Sequence, residues 1–169
     1  MEANEVLIES FGRVAEHVHD VLDGIDEAWL TRTPVVGVNP IGWLVWHIAR
    51  GQDVQIAMLG DGAQEWVEGD WAPRFGLGPD PWNMGYGHTP AQVAEVRPES
   101  AQVLLDYYDA VWARTKAVLA NVTPSDLDRV VDENFDPPVT MGVRLVSIVD
   151  DDVQHAGQAR YLRGLFERS

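Results

Sequence analysis

Cysteine is absent from the 169-residue chain, and lysine occurs once, at Lys116. Without cysteine the chain forms no disulfide and supplies neither a thiolate metal ligand nor a thiol nucleophile. Any thiol chemistry therefore needs a thiol from outside the protein. Long apolar runs are also missing, since no stretch reaches the ~20 residues of a membrane-spanning helix. The N-terminus lacks the basic and apolar blocks of a signal peptide, so we expect a cytoplasmic protein that binds no membrane.

Positive charge is scarce, with 12 Lys and Arg against 27 Asp and Glu, giving a net charge of −15. An acidic surface repels phosphate backbones, which argues against nucleic-acid binding. Hydrophobic residues make up 46% of the chain and charged residues 23%, a composition typical of folded globular proteins. The length fits one domain, and we predict a single domain over residues 1–169.

Apolar residues recur at spacings of three and four in four segments, roughly 4–24, 40–59, 98–121 and 141–167. Asn39 and Pro40 are suited to the N-cap and first turn of the second segment, and Thr123 and Pro124 to a short extra turn. Residues 60–97 are rich in glycine, proline and aromatic residues and have no sustained period. The pattern predicts an all-α protein, a four-helix bundle with a long crossover loop between helices 2 and 3.

Polar residues interrupt the apolar faces of two of these helices. In the fourth segment, the line at spacings of three and four consists of Ile148, Asp151, His155, Gln158 and Leu162. In the second segment, the corresponding line consists of Leu44, His47, Gly51, Val54 and Met58. An inward carboxylate without a partner costs several kcal/mol, which a bound cation would offset.

The spacing leaves two interpretations open. Asp151 and His155, one turn apart, either pair with each other alone or join His47 from the neighbouring helix in a metal site with two histidines and one carboxylate. The run of three acids allows an alternative register, because Asp152 lies three residues before His155 and is able to replace Asp151. Gln158 is a candidate for orienting a histidine ligand or an ordinary polar residue of the helix.

Two motifs carry a family resemblance: GWLVWHIARGQD at 42–53 and DDDVQHAGQARYLRG at 150–164. Together they resemble the DinB-like superfamily, which includes the mycothiol-dependent maleylpyruvate isomerases. The resemblance implies a four-helix bundle that holds a divalent metal ion through His47, Asp151 and His155. Zinc is the first expectation for this ligand set, with nickel, iron and manganese as alternatives. The resemblance also implies a homodimer.

The same resemblance implies a metal-dependent transferase or isomerase that activates a low-molecular-weight thiol such as mycothiol. One alternative is a non-enzymatic bundle that binds a small ligand or a partner, because the aromatic residues of the loop are able to form a lid or a contact surface. These are Trp66, Trp71, Phe75, Trp82 and Tyr86. They are equally able to pack beneath the loop. An iron-dependent oxygenase is a third hypothesis, since it uses the same ligand types.

Other polar residues carry weaker signals. His88 lies in the loop, within possible reach of the metal site. We interpret Arg50 and Arg160 as surface charges, with the binding of a substrate carboxylate as the alternative. Asp53 is turned away from the face that contains His47. The sequence assigns no residue a catalytic role beyond metal binding.

Overall fold

Four long helices dominate the computed structural model, which describes residues 1–168. They are α1 (Ala3–Leu22), α2 (Ile41–Leu59), α5 (Ala101–Leu119) and α7 (Met141–Phe166). Three short helices complete the series: α3 (Glu65–Glu68), α4 (Pro90–Glu95) and α6 (Pro124–Leu127). Two 3₁₀ turns, Glu27–Leu30 and Ala72–Phe75, and two short antiparallel strands, β1 (Val130–Asp132) and β2 (Val139–Thr140), lie between them. The predicted all-α bundle is confirmed.

The helix starts follow from capping side chains. Ser100 accepts a hydrogen bond from the Val103 amide at the start of α5, and Thr140 does the same for Val143 at the start of α7. Thr123 caps α6, and Pro124 is its first residue, as the sequence predicts. At α2 the boundary falls one residue later than predicted, because Pro40 rather than Asn39 is the N-cap.

Helix α2 packs against both α5 and α7, and α1 packs against the same two helices. Nearly every residue of α2 is buried, including Trp46, Ile48 and Ile56. A helix with apolar residues on all faces is one that neighbours surround. Charged side chains on such a helix must therefore find their partners inside the protein.

The segment from residue 60 to residue 100 connects α2 to α5 through α3, the second 3₁₀ turn and α4, and it contains the crossover predicted for residues 60–97. Its aromatic residues divide into two groups. Trp66 and Phe75 are 1% and 0% exposed and belong to the main core, in contact with each other and with Tyr107. Trp82 and Tyr86 are 65% and 90% exposed. The crossover is thus anchored by its first half and presents aromatic surface in its second.

No helix among residues 1–168 combines the length and the apolar character that crossing a bilayer requires.

Candidate metal site

Three polar side chains converge between α2 and α7. His47 extends from the middle of α2, and Asp151 and His155 extend from adjacent turns of α7. One potential ligand atom of each lies within 4.8 Å of the other two. The Asp151 carboxylate lies between the rings, with Oδ2 3.6 Å from His47 Nε2 and Oδ1 3.5 Å from His155 Nε2. The structure thus brings together the three side chains that the sequence singles out.

Asp152, the alternative carboxylate, is directed elsewhere. It is 1% exposed, and burial raises the pKa of its carboxyl group well above the usual range, with the nearby Asp151 charge adding to the effect. Within the described chain, its Oδ2 atom has no hydrogen-bond partner. The Asp151 side chain, by contrast, is 49% exposed and faces both imidazoles. The geometry therefore favours Asp151 over Asp152 as the carboxylate of this group.

Each imidazole makes a second contact through its other ring nitrogen. His47 Nδ1 forms a short hydrogen bond with the backbone carbonyl of Met84, and His155 Nδ1 lies 3.2 Å from Gln158 Oε1. A carbonyl or amide oxygen only accepts, so each Nδ1 carries the proton and donates it. Both Nε2 atoms face Asp151, and with the proton on Nδ1 each would present its Nε2 lone pair to a metal ion once His155 has released the proton that it shares with Asp151. Gln158 thus makes the contact that the predicted orienting role requires.

The indole of Trp43 forms one wall of the group. It stacks on the His47 ring with ring centroids 4.7 Å apart and an interplanar angle of 17°. It is nearly perpendicular to the His155 ring, with ring centroids 6.3 Å apart. The crossover covers His47 at Gly85, which has a positive φ of 95°. A β-carbon at Gly85 would lie 2.9 Å from Trp43 and 3.0 Å from His47 Nδ1. Glycine is needed here because it allows both the backbone conformation and the close approach.

The titration behaviour of the three groups follows from their surroundings. Burial lowers the pKa of His47, and the hydrogen bond to Asp151 raises the pKa of His155. The same hydrogen bond from His155 lowers the pKa of Asp151. Near neutral pH, Asp151 is therefore ionised and His47 is neutral, and His155 is the histidine that holds a proton most readily.

The donor set fits a divalent transition metal ion. Two imidazole nitrogens and one carboxylate suit zinc and its neighbours, and the three side chains leave further coordination positions open. The hydrogen bonds at both Nδ1 atoms are the outer contacts that such ligands typically have. The half-exposed Asp151 gives solvent and small molecules access to the group.

His88 contacts the wall of the site and is not one of the three converging residues. Its Nδ1 atom accepts a hydrogen bond of 3.2 Å from the Trp43 indole, and its Nε2 atom donates one of 2.8 Å to Asn83 Oδ1. Its ring stacks on Trp46. With both nitrogens engaged, His88 supports Trp43 and the crossover.

The interpretation of Arg50 as a surface charge is wrong. The Arg50 side chain is fully buried, and its Nη1 atom lies 3.1 Å from Asp53 Oδ2. Asp53 is also buried and accepts hydrogen bonds from the amides of Glu65 and Trp66 at the start of α3. Arg160, in contrast, is exposed and pairs with Asp20 at 3.2 Å, as expected for a surface charge. Sequence reasoning therefore missed the Arg50–Asp53 pair, the Trp43 wall and the Met84 carbonyl.

Comparison with known proteins identifies the family. The sequence model of the DinB superfamily matches residues 10–159, most of the chain. The chain belongs to the DinB superfamily. This DinB-superfamily protein is also similar to a solved structure described as a conserved protein of locus from Enterococcus faecalis. The two are 34% identical, the match covers 100% of this chain and 99% of the other, and the TM-score is 0.90. No curated protein matches the chain significantly.

Proposed function

We propose that this DinB-superfamily protein binds a divalent transition metal ion through His47, Asp151 and His155. The observation that carries the proposal is the convergence of three ligand atoms within 4.8 Å, with both imidazole Nδ1 atoms hydrogen-bonded elsewhere. The Nε2 atoms would act as ligands, with the metal ion displacing the proton that His155 shares with Asp151, and the ionised Asp151 would offset the charge of the ion. Zinc is the first candidate, and nickel, iron and manganese are alternatives.

Elemental analysis of the purified protein, followed by calorimetric titration of the metal-free form with Zn²⁺, tests the proposal. We expect about one equivalent of bound metal, and loss of binding in His47→Ala. His19→Ala is the matched control, because His19 pairs with Asp109 at 2.8 Å and does not join the ligand group. Equal affinity in the wild type and His47→Ala, or no metal binding by any variant, contradicts the assignment.

We further propose that the reaction is a transfer or isomerisation that uses a small external thiol. A bound divalent ion lowers the pKa of a water or thiol ligand and so supplies a nucleophile at neutral pH. His47, Asp151 and His155 would hold that ion and Trp43 would exclude water from one side. The absence of cysteine, which leaves the thiol to an external molecule, and membership of the DinB superfamily support the proposal.

A conjugation assay with metal-loaded protein tests the thiol proposal separately. Mycothiol and glutathione, each offered with maleylpyruvate or a simple electrophile, are the probes, and His47→Ala is the control. We expect metal-dependent turnover with one of the thiols. Stoichiometric metal binding without turnover would reject the thiol reaction and leave the metal site standing. Oxygen uptake dependent on added Fe²⁺ would instead favour an oxygenase.

The alternative is a non-enzymatic bundle that binds a small ligand or a partner beside the metal. The exposed Trp82 and Tyr86 on the second half of the crossover favour it, since aromatic side chains dominate many contact surfaces. A Trp82→Ser, Tyr86→Ser double variant tests this role without removing the buried Trp66 and Phe75. We expect metal affinity to stay unchanged and ligand or partner binding to fall. Homodimerisation also remains a prediction, and sedimentation velocity at micromolar concentration measures it.

A further inference from the structure

Five hydrogen bonds surround the guanidinium of Arg50, three residues along α2 from His47. Its Nε atom donates a hydrogen bond to the carbonyl of Asn83 at 3.0 Å. Its Nη2 atom donates to the carbonyl of Pro81 at 2.9 Å and to Gln64 Oε1 at 3.3 Å. Its Nη1 atom donates to Asp53 Oδ2 at 3.1 Å and to the Tyr107 hydroxyl oxygen at 3.3 Å. Each of the five donor hydrogens therefore has one acceptor.

Two of these acceptors belong to the crossover immediately before Met84. The carbonyls of Asn83 and Met84 are consecutive, and both are bound by side chains of α2: Arg50 takes the first and His47 the second. The peptide chain between them has little freedom, because Gly85 follows at a positive φ and in close contact with Trp43. The position of the Met84 carbonyl therefore depends on the guanidinium.

Asp53 and Trp66 hold the Arg50 guanidinium from the side opposite the crossover carbonyls. The Asp53 carboxylate accepts hydrogen bonds from Nη1 of Arg50, from the Tyr107 hydroxyl at 2.8 Å and from the backbone amides of Glu65 and Trp66 at 2.9 Å each. The guanidinium also lies over the Trp66 ring, 4.8 Å from its centroid. Arg50 and Asp53 together thus fasten the beginning of the crossover and residues 81–83 to one turn of α2. A fully buried charge pair with every donor used is a rigid reference point.

We propose that Arg50 is a positioning residue for the metal site, acting through the Met84 carbonyl on His47. By holding Asn83 and Pro81, Arg50 keeps the Met84 carbonyl where it accepts the Nδ1 proton of His47. That hydrogen bond favours the His47 tautomer in which Nε2 carries no proton. It also orients the His47 ring so that Nε2 faces Asp151 and His155. This inference rests on the proposed metal site for its consequence, whereas the tautomer itself is a property of the metal-free protein.

Arg50→Lys is the test variant, because lysine keeps a positive charge beside Asp53 but cannot reach all five acceptors from one ammonium group. Arg114→Lys is the matched control. Arg114 also contacts the crossover, through Glu65 and Glu68 of α3, and has no contact with residues 81–84 among its described bonds. Both variants are compared with the wild type as full-length proteins.

The first measurement is the tautomer of His47 in metal-free protein, from imidazole ¹⁵N NMR at pH 8. We expect the Nδ1–H form in the wild type and Arg114→Lys, and a mixture of tautomers in Arg50→Lys. His155 is an internal control in all three proteins, because its Nδ1 partner Gln158 is on α7 and far from Arg50 in the chain. A purely structural role for Arg50 would lower stability without changing the His47 tautomer selectively.

The second measurement is Zn²⁺ affinity by calorimetry. We expect Arg50→Lys to weaken binding by ~10- to 100-fold, the usual effect of losing a contact that orients a ligand. A pure Nδ1–H form of His47 and wild-type affinity in Arg50→Lys would overturn the inference. If the wild type binds no Zn²⁺, the metal proposal fails, and the tautomer comparison still decides the role of Arg50. If Arg50→Lys does not fold, the Arg50→Gln, Asp53→Asn pair removes both charges and undergoes the same two measurements.

Discussion

His47 and His155 lie on different helices, yet their ring centroids are 4.7 Å apart and their planes are inclined at 78°. The near-perpendicular arrangement lets both Nε2 atoms face the Asp151 carboxylate while both Nδ1 atoms face away from it. In the metal-free protein, Asp151 hydrogen-bonds to His155, whereas burial disfavours a proton on the second nitrogen of His47. The proposed metal ion would join all three groups at this point.

The two adjacent acids of α7 should respond differently to removal of charge. Asp151→Asn should weaken Zn²⁺ binding by at least ~10-fold, because it removes the carboxylate between the rings. Asp152→Asn should leave the affinity unchanged, since the Asp152 carboxyl is buried, its pKa is raised by that burial, and it lies outside the ligand group. Calorimetric titration of both variants checks the assignment. Loss of binding in Asp152→Asn with retention in Asp151→Asn would reverse it.

In the metal-free protein, the two histidines should titrate on opposite sides of the ordinary value of 6.5. His155 should protonate first as pH falls, and its pair with Asp151 stabilises the fold fully below that ordinary value and loses its effect as pH rises through the raised pKa. His47 should protonate at a lower pH, and this uptake weakens the fold because the folded state disfavours the charged ring. NMR titration measures both pKa values. Asp151→Asn should lower the pKa of His155, and a rise would contradict the pairing.

Two glycines of the crossover separate backbone strain from crowding of the metal site. Gly85 and Gly87 both have positive φ, at 95° and 71°, but a β-carbon meets Trp43 and His47 at Gly85 and nothing within 4 Å at Gly87. Both alanine variants should lose about 1–3 kcal/mol of unfolding free energy from the strained backbone. Only Gly85→Ala should also weaken Zn²⁺ binding, because it moves the Met84 carbonyl away from His47. Equal metal affinities in the two variants would show that the close approach is unimportant.

Two crossover aromatics should differ sharply in their effect on stability. Trp66→Ala should lower the free energy of unfolding by about 3–5 kcal/mol, because the indole is buried against Trp46 and Phe75. Tyr86→Ala should stay within about 0.5 kcal/mol of the wild type, since Tyr86 is 90% exposed. Urea denaturation followed by circular dichroism measures both changes. A comparable loss in the two variants would mean that the exposed end of the crossover is also part of the core.

Periodicity was enough to predict the four long helices and the buried position of His47. For α7 the predicted inward line was wrong by one residue: the buried face contains Asp152, Ala156 and Ala159, whereas Asp151 is half-exposed and Gln158 is exposed. Side chains three and four residues apart share a helix face, so a histidine among the apolar residues of α2 is expected to be internal, whereas the run of three acids in α7 does not fix which acid is buried. The family resemblance then joined the two helices into one site. Periodicity left Asp151 and Asp152 as alternatives, because only the rotation of α7 in the bundle decides which of the two faces His47.

The remaining parts of the site have no comparable signal. The Met84 acceptor is a backbone carbonyl, which every residue possesses, and its position depends on how the crossover folds back over α2. Arg50 was misread because a charged side chain off the His47 face usually points to solvent. The usable signal was that apolar residues occur on every side of α2, which indicates a surrounded helix in which an Arg and an Asp three residues apart are placed to pair inside the protein.

The proposed ligand His47 is held by a segment that is distant from α7 in the chain. Residues 81–88 cover the imidazole, yet much of this stretch is exposed, and it attaches to α2 mainly through hydrogen bonds. Such a segment detaches at a lower free energy than the packed helices do. We expect the rate of metal release to a chelator to match the rate of amide hydrogen exchange at residues 81–88. Both rates should be far higher than the rate of hydrogen exchange in α2. The crossover would then act as the exchange gate for the ion, opening while the bundle itself remains folded.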